Sequence, residues 1–151
     1  MRPELDTALL KDYQLFEKAN SGSWNILSYL NFKYDIDAAL GFSKFFLPDF
    51  IVHKNCLVLS FLFNEEIFDA WYSDTEGDRV KIEKMCNLYE VKDFFHINSD
   101  IEHKDFESKI FALSSILKYS WQMVLDDLYP NRYIVDTFFD YSHFITIYSR
   151  E

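Results

Sequence analysis

Glycine, proline and cysteine are all scarce in this 151-residue chain, at three, three and two residues. Average usage would put Gly plus Pro near 12%. Three isolated glycines, Gly22, Gly41 and Gly77, cannot build a Gly-rich phosphate cradle or a dinucleotide-binding loop. Cys56 and Cys86 lie in apolar stretches, which fits buried thiols rather than a disulfide scaffold. Basic residues are in deficit too, 15 against 25 acidic, for a formal charge of −10 and a pI near 4.8. That balance argues against a nucleic-acid binder, whose affinity comes from clustered Lys and Arg. Long apolar runs are missing: Phe45–Leu47 and Leu57–Phe63 fall well short of the ~20 residues a membrane span needs. The first 18 residues carry early acidic groups and no apolar h-region, unlike a signal peptide. The expectation is a cytoplasmic chain with no membrane contact.

Aromatics are abundant instead, with 16 Phe, 10 Tyr and 3 Trp, and 49% of the chain is hydrophobic. Such a chain can bury a core, so disorder is not the default. Residues 4–18 space Leu5, Leu9, Tyr13 and Phe16 as an amphipathic helix, and 24–33 repeat the pattern with Trp24, Leu27, Leu30 and Tyr34. A third helix is expected from Ile36 to Phe46, opened near Asp35 and stopped by Pro48. The period then changes. Residues 50–53 and 57–61 read as strands joined through Lys54-Asn55. Asn64 caps a helix whose Ile67, Phe68, Trp71 and Tyr72 share one stripe, and Val80 to Tyr89 predicts another with Ile82, Met85, Cys86 and Tyr89 inward.

The clearest helix covers 105–129, where Phe106, Ile110, Leu113, Leu117, Trp121, Val124 and Leu128 recur at steps of three and four. Pro130 ends it, and 132–139 with 144–149 form a C-terminal β-hairpin across 140–143. The order of elements predicts an α+β fold: one globular domain over 1–151, with helices packed on a small antiparallel sheet.

Chemistry-bearing groups are few. Asp136, Asp140 and His143 flank the last turn, where carboxylates and an imidazole can do acid–base or metal work. His96, Asp100, Glu102 and His103 form a second cluster, but Ser99-x-x-Glu102 is a capping-box pattern that would separate the histidines. Both clusters read more simply as turn and loop polar groups. No nucleophile elbow surrounds either cysteine. No catalytic residue, metal site or cofactor is assigned.

Acidic residues are most in excess over 51–100, ten against five basic, compared with seven against five before and eight against five after. The densest run is Glu65, Glu66, Asp69, Asp74, Glu76 and Asp78, with Trp71 and Tyr72 beside it as candidate aromatic anchors. An anionic patch of this kind steers a basic partner. The leading expectation is therefore a non-enzymatic protein-binding domain, in concrete form an immunity protein that neutralises a nuclease-type toxin. Two other classes stay open: a small enzyme or ligand-binding domain with an aromatic-lined pocket, and a homodimer whose surplus aromatics form the interface.

Overall fold

A computed structural model describes residues 1–20 and 22–150. Its α+β architecture has two parts, a layer of N-terminal helices and a body of two antiparallel sheets with three further helices.

The layer contains α1 (Lys11–Ala19), α2 (Ile26–Lys33) and α3 (Ile36–Phe46). The helix expected over 4–18 is interrupted. Asp6 accepts a hydrogen bond from the Ala8 amide and closes a 3₁₀ turn over Thr7–Leu9, and Leu10 leaves helical geometry before α1 begins. Asn25 opens α2 with a reciprocal capping box to Ser28, and Asp35 opens α3 by accepting from the Ala38 amide. Rings join the first two helices edge to face: Tyr13 on Tyr29, and Phe16 on Tyr29 and Trp24.

The body begins with a hairpin, β1 (Phe50–His53) and β2 (Cys56–Leu59), slightly shorter than expected. Its turn residues Lys54 and Asn55 both have left-handed backbone, φ 46° and 65°, as a tight two-residue hairpin turn demands. Next come α4 (Glu65–Asp74), capped by Asn64, and α5 (Arg79–Cys86), capped by Asp78. A short β3 (Tyr89–Glu90) precedes two 3₁₀ turns, then α6 (Phe106–Leu128), β4 (Tyr133–Phe139) and β5 (His143–Ser149). In the second sheet the order is β3-β5-β4, so the last strand is the central one.

The main core forms between α6 and this sheet. Leu117, Trp121 and Leu125 pack with Val135, Ile145 and Ile147, while Leu57 and Leu59 of β2 close it from the other sheet. The stripe along α6 runs Phe106, Ile110, Ser114, Leu117, Trp121, Leu125. Its expected end is corrected: Leu128 is exposed and Leu125 takes the inward place, because a 3.6-residue helix has rotated by the last turn. Trp121 also fastens the N-terminal layer, its indole Nε1 donating to the Phe45 carbonyl at 2.9 Å.

Two further inward faces differ from expectation. On α4 only Phe68 is buried and Ile67 faces outward. On α5, which ends at Cys86 rather than Tyr89, Met85 is exposed while Ile82, Glu83 and then Asn87 are fully buried. These polar groups bridge the sheets. Glu83 accepts from the Leu57 amide (2.8 Å) and the Ser149 amide (2.7 Å); Asn87 accepts from the Leu59 amide and donates to the Leu57 and Ile147 carbonyls. Open backbone groups of β2 and β5 are satisfied in this way without direct pairing.

Candidate functional site

The acidic run lies on α4 and the turn that follows it. Glu65, Glu66, Asp74 and Glu76 are exposed. Asp69 pairs with Lys54 at 2.6 Å, and Asp78 is held by the Lys81 amide and ammonium, which keep its carboxyl below the usual range. Glu65 and Glu66 sit at the start of a ten-residue helix and Asp74 at its end, roughly 13 Å apart at 1.5 Å per residue. The run is thus two acidic ends around an ion-paired middle. Trp71 is half-buried; Tyr72 is exposed at its edge, stacks on Phe68 and carries the Lys54 ammonium 5.0 Å from its ring centre.

The hairpin cluster does not converge. In the β4–β5 register Phe139 faces His143 while Asp136 faces Thr146. Three residues separate Asp136 from Phe139, so Asp136 and His143 project from opposite faces of the sheet. Asp136 lies near Lys118 and Tyr148, and His143 near Glu107 and the Phe139 ring. Asp140 is in the turn, its amide donating to the Ser142 carbonyl.

The histidines 96 and 103 also have separate partners. His96 rests on Asp93, and His103 accepts a hydrogen bond from the Asp105 amide. The capping box at Ser99 and Glu102 is not formed: the Ser99 hydroxyl donates to the Phe95 carbonyl, and α6 begins at Phe106. Asp100 and Glu102 are exposed in the intervening loop. Among the described residues, no three His, Cys, Asp or Glu side chains come together as a metal-binding group. Both cysteines are unbridged. Burial pushes the Cys56 thiol up to about 11 and the Cys86 thiol upward as well, so neither supplies much thiolate near neutrality.

A larger feature is an apolar groove in the N-terminal layer. Its volume is about 850 Å³, and Leu30, Tyr34, Ile36, Phe42 and Phe46 line it together with Phe95 from the body. Among the described residues Asp35 and Asp37 are the charged groups in its lining, and the Lys33 ammonium lies 5.9 Å from the Tyr34 ring centre. Neither α2 nor α3 has a single buried residue; Phe32 is 79% exposed, Ile36 76% and Leu27 71%. The whole chain presents 10212 Å² of surface, roughly a quarter more than the ~8,100 Å² a compact 18.1 kDa monomer presents. Helical spacing puts Leu27 and Leu30 on α2 as expected, while Trp24 and Tyr34 of the same expected stripe lie just outside the helix; spacing cannot say whether another element covers a face.

Compared with known proteins, the chain matches no family model, no curated protein and no solved structure.

A second, polar cavity of about 530 Å³ opens where the β1–β2 turn, the α4–α5 turn and the start of β4 meet. Lys54, Arg79 and Arg132 line it with Tyr72, Tyr129 and Tyr133. The reading from sequence missed it, since its residues come from three segments spread over eighty positions. A clue was present in the positive residues that border Asn and Gly turns.

No helix among the described residues is long and apolar enough to cross a membrane.

Proposed function

We propose that the chain is a non-catalytic protein-binding domain whose partner is a basic protein. The carrying observation is the groove between α2 and α3, whose lining among the described residues is apolar apart from Asn31 and the carboxylates of Asp35 and Asp37. Exposed apolar patches of this extent mark interaction surfaces. A groove beside two helices suits an amphipathic helix, whose apolar side chains would enter at three- and four-residue spacing and whose flanking Lys or Arg would meet Asp35 and Asp37. Charge also argues for a partner of opposite sign over a second copy, because two chains of −10 repel on approach. The carboxylates of α4 need not enter the contact; they add to the field that speeds encounter. An antidote masking the Lys and Arg of a nuclease-type toxin is the concrete form of this reading.

Affinity capture from the native host tests it, using the wild-type chain beside an Ile36→Lys, Phe42→Glu double variant. The expected result is a basic protein retained by the wild type and lost from the variant. Its association rate should fall at least about tenfold between roughly 50 and 300 mM salt. An acidic binder, salt-indifferent association, or a stable dimer of this chain alone by sedimentation would overturn it.

A further inference from the structure

The polar cavity between the three turns has a charge sign opposite to that of the chain. Acidic residues outnumber basic ones 25 to 15 overall, yet three cations and no carboxylate line this cavity. Two of the cations are set in place by partners outside the lining. Lys54 is paired with Asp69, and Arg79 donates through Nε to the buried Glu83 and through Nη2 to the Tyr133 hydroxyl at 3.0 Å. An arginine gripped on one side has its remaining N–H groups aimed rather than mobile. Arg132 is exposed and forms no ion pair within 4.0 Å among the described residues.

The backbone around the cavity is equally specific. Among the described residues six have positive φ, and five belong to the three turns that meet here: Lys54 and Asn55, Glu76 and Gly77, and Asn131 next to Arg132. Four of the five are not glycine, and such conformations are held only where the surrounding structure fixes them. The β1–β2 turn presents Lys54 and Asn55 to this space, the α4–α5 turn Gly77 just ahead of Arg79 on α5, and the turn before β4 Arg132. Tyr72 is stacked on Phe68 and faces the Lys54 ammonium, and the buried Tyr133 faces the Arg79 guanidinium; the half-buried Tyr129 packs edge to face on Tyr133 at 5.4 Å.

From this geometry we infer that the cavity binds a small phosphorylated ligand, its oxyanion held by Lys54, Arg79 and Arg132 and its planar body against the Tyr129 ring. Arginine forks match phosphate oxygens in pairs, and stacking on an aromatic face favours a ring in the ligand. A volume of about 530 Å³ lies in the range of small-molecule sites and is ample for a mononucleotide. The site is separate from the α2–α3 groove and does not depend on the protein-binding reading.

Titration of the intact chain with AMP, followed by amide chemical shifts, tests this, with adenosine as the uncharged control. AMP should shift the amides of Asn55, Gly77 and Arg132 with a Kd of about 1 mM or tighter, and adenosine should not. Arg132→Glu changes an exposed residue and should weaken AMP at least about tenfold, the factor that about 1.4 kcal/mol represents. Lys54→Gln should weaken it in the same direction and provides a second variant. Absence of shifts at these amides, equal response to adenosine, or AMP binding unchanged in both folded variants would overturn the proposal.

Discussion

The N-terminal layer and the sheet body are built from similar proportions of apolar residues, yet they use them differently. In the body, α6 alone buries six residues, and the buried Glu83 and Asn87 find partners on β2 and β5. In the layer, the three helices have one buried residue between them, Tyr13. At ~25 cal/mol per Å² of apolar surface removed from water, the body stabilises itself while the layer forgoes most of that gain. The difference teaches that amphipathic spacing specifies a helix and its face, and that cover for the face is a separate matter. Here the layer hangs on the body by few groups, chiefly the Trp121 indole against the Phe45 carbonyl and the Phe45–Phe94 ring contact at 4.4 Å.

The contrast is most severely tested at Trp121. Trp121→Ala should cost about 3–5 kcal/mol, the usual range for a buried aromatic. Thermal unfolding should then fall by roughly 10 °C, since about 2–4 °C accompanies each kcal/mol at this chain length. Because the indole also fastens the layer, amide exchange in α3 should accelerate more than in β5. Equal acceleration in both would mean that layer and body open as one unit.

Glu83→Gln comes next. The amide keeps one acceptor but turns N–H groups toward the Ser149 amide and leaves Arg79 without its anion. Roughly 2–3 kcal/mol should be lost, measured by urea unfolding, since an unsatisfied buried donor costs about 1–3 kcal/mol and a broken ion pair adds to it. A neutral result would show that α5 does not join the two sheets as described.

The smallest effect on stability is expected in the layer. Phe32→Ser or Leu27→Ser removes a large apolar side chain that is mostly in water, and the midpoint should move by no more than about 0.5 kcal/mol. A loss above about 2 kcal/mol would show that the layer is covered within the chain itself.

These two regions were legible in the sequence to different depths. The long helix and the final hairpin could be read because their periods are sustained and their ends are marked by Pro130 and by turn residues. The short helices were found, but their inner faces were not always right. On α5 a buried Glu and Asn look polar to any apolar count, so the inward face was turned toward Met85. Glu83 is buried because the strand edges of β2 and β5 need acceptors, a requirement that exists only once the sheets are side by side. The same holds for both candidate sites. Asp35 and Asp37 become a rim only when α2, α3 and Phe95 surround a groove, and Lys54, Arg79 and Arg132 become neighbours only through tertiary structure. Conversely, the acidic run is dense in sequence because it is local, while in space Lys54 pairs with its Asp69 and Lys81 with its last member, Asp78.

The position of β5 bears on how the protein comes into being on the ribosome. Residues 143–149 pair with Tyr89–Glu90 on one side and with Tyr133–Phe139 on the other, and Ser149 completes the coordination of Glu83. Synthesis runs from the other end, so the poorly covered helices emerge first and wait while about a hundred further residues are made. Until β5 arrives, the α6 stripe and the β2 edge also lack their partner. Folding of the body is therefore a late event, because β5 packs on α5, α6, β3 and β4 and comes after all of them.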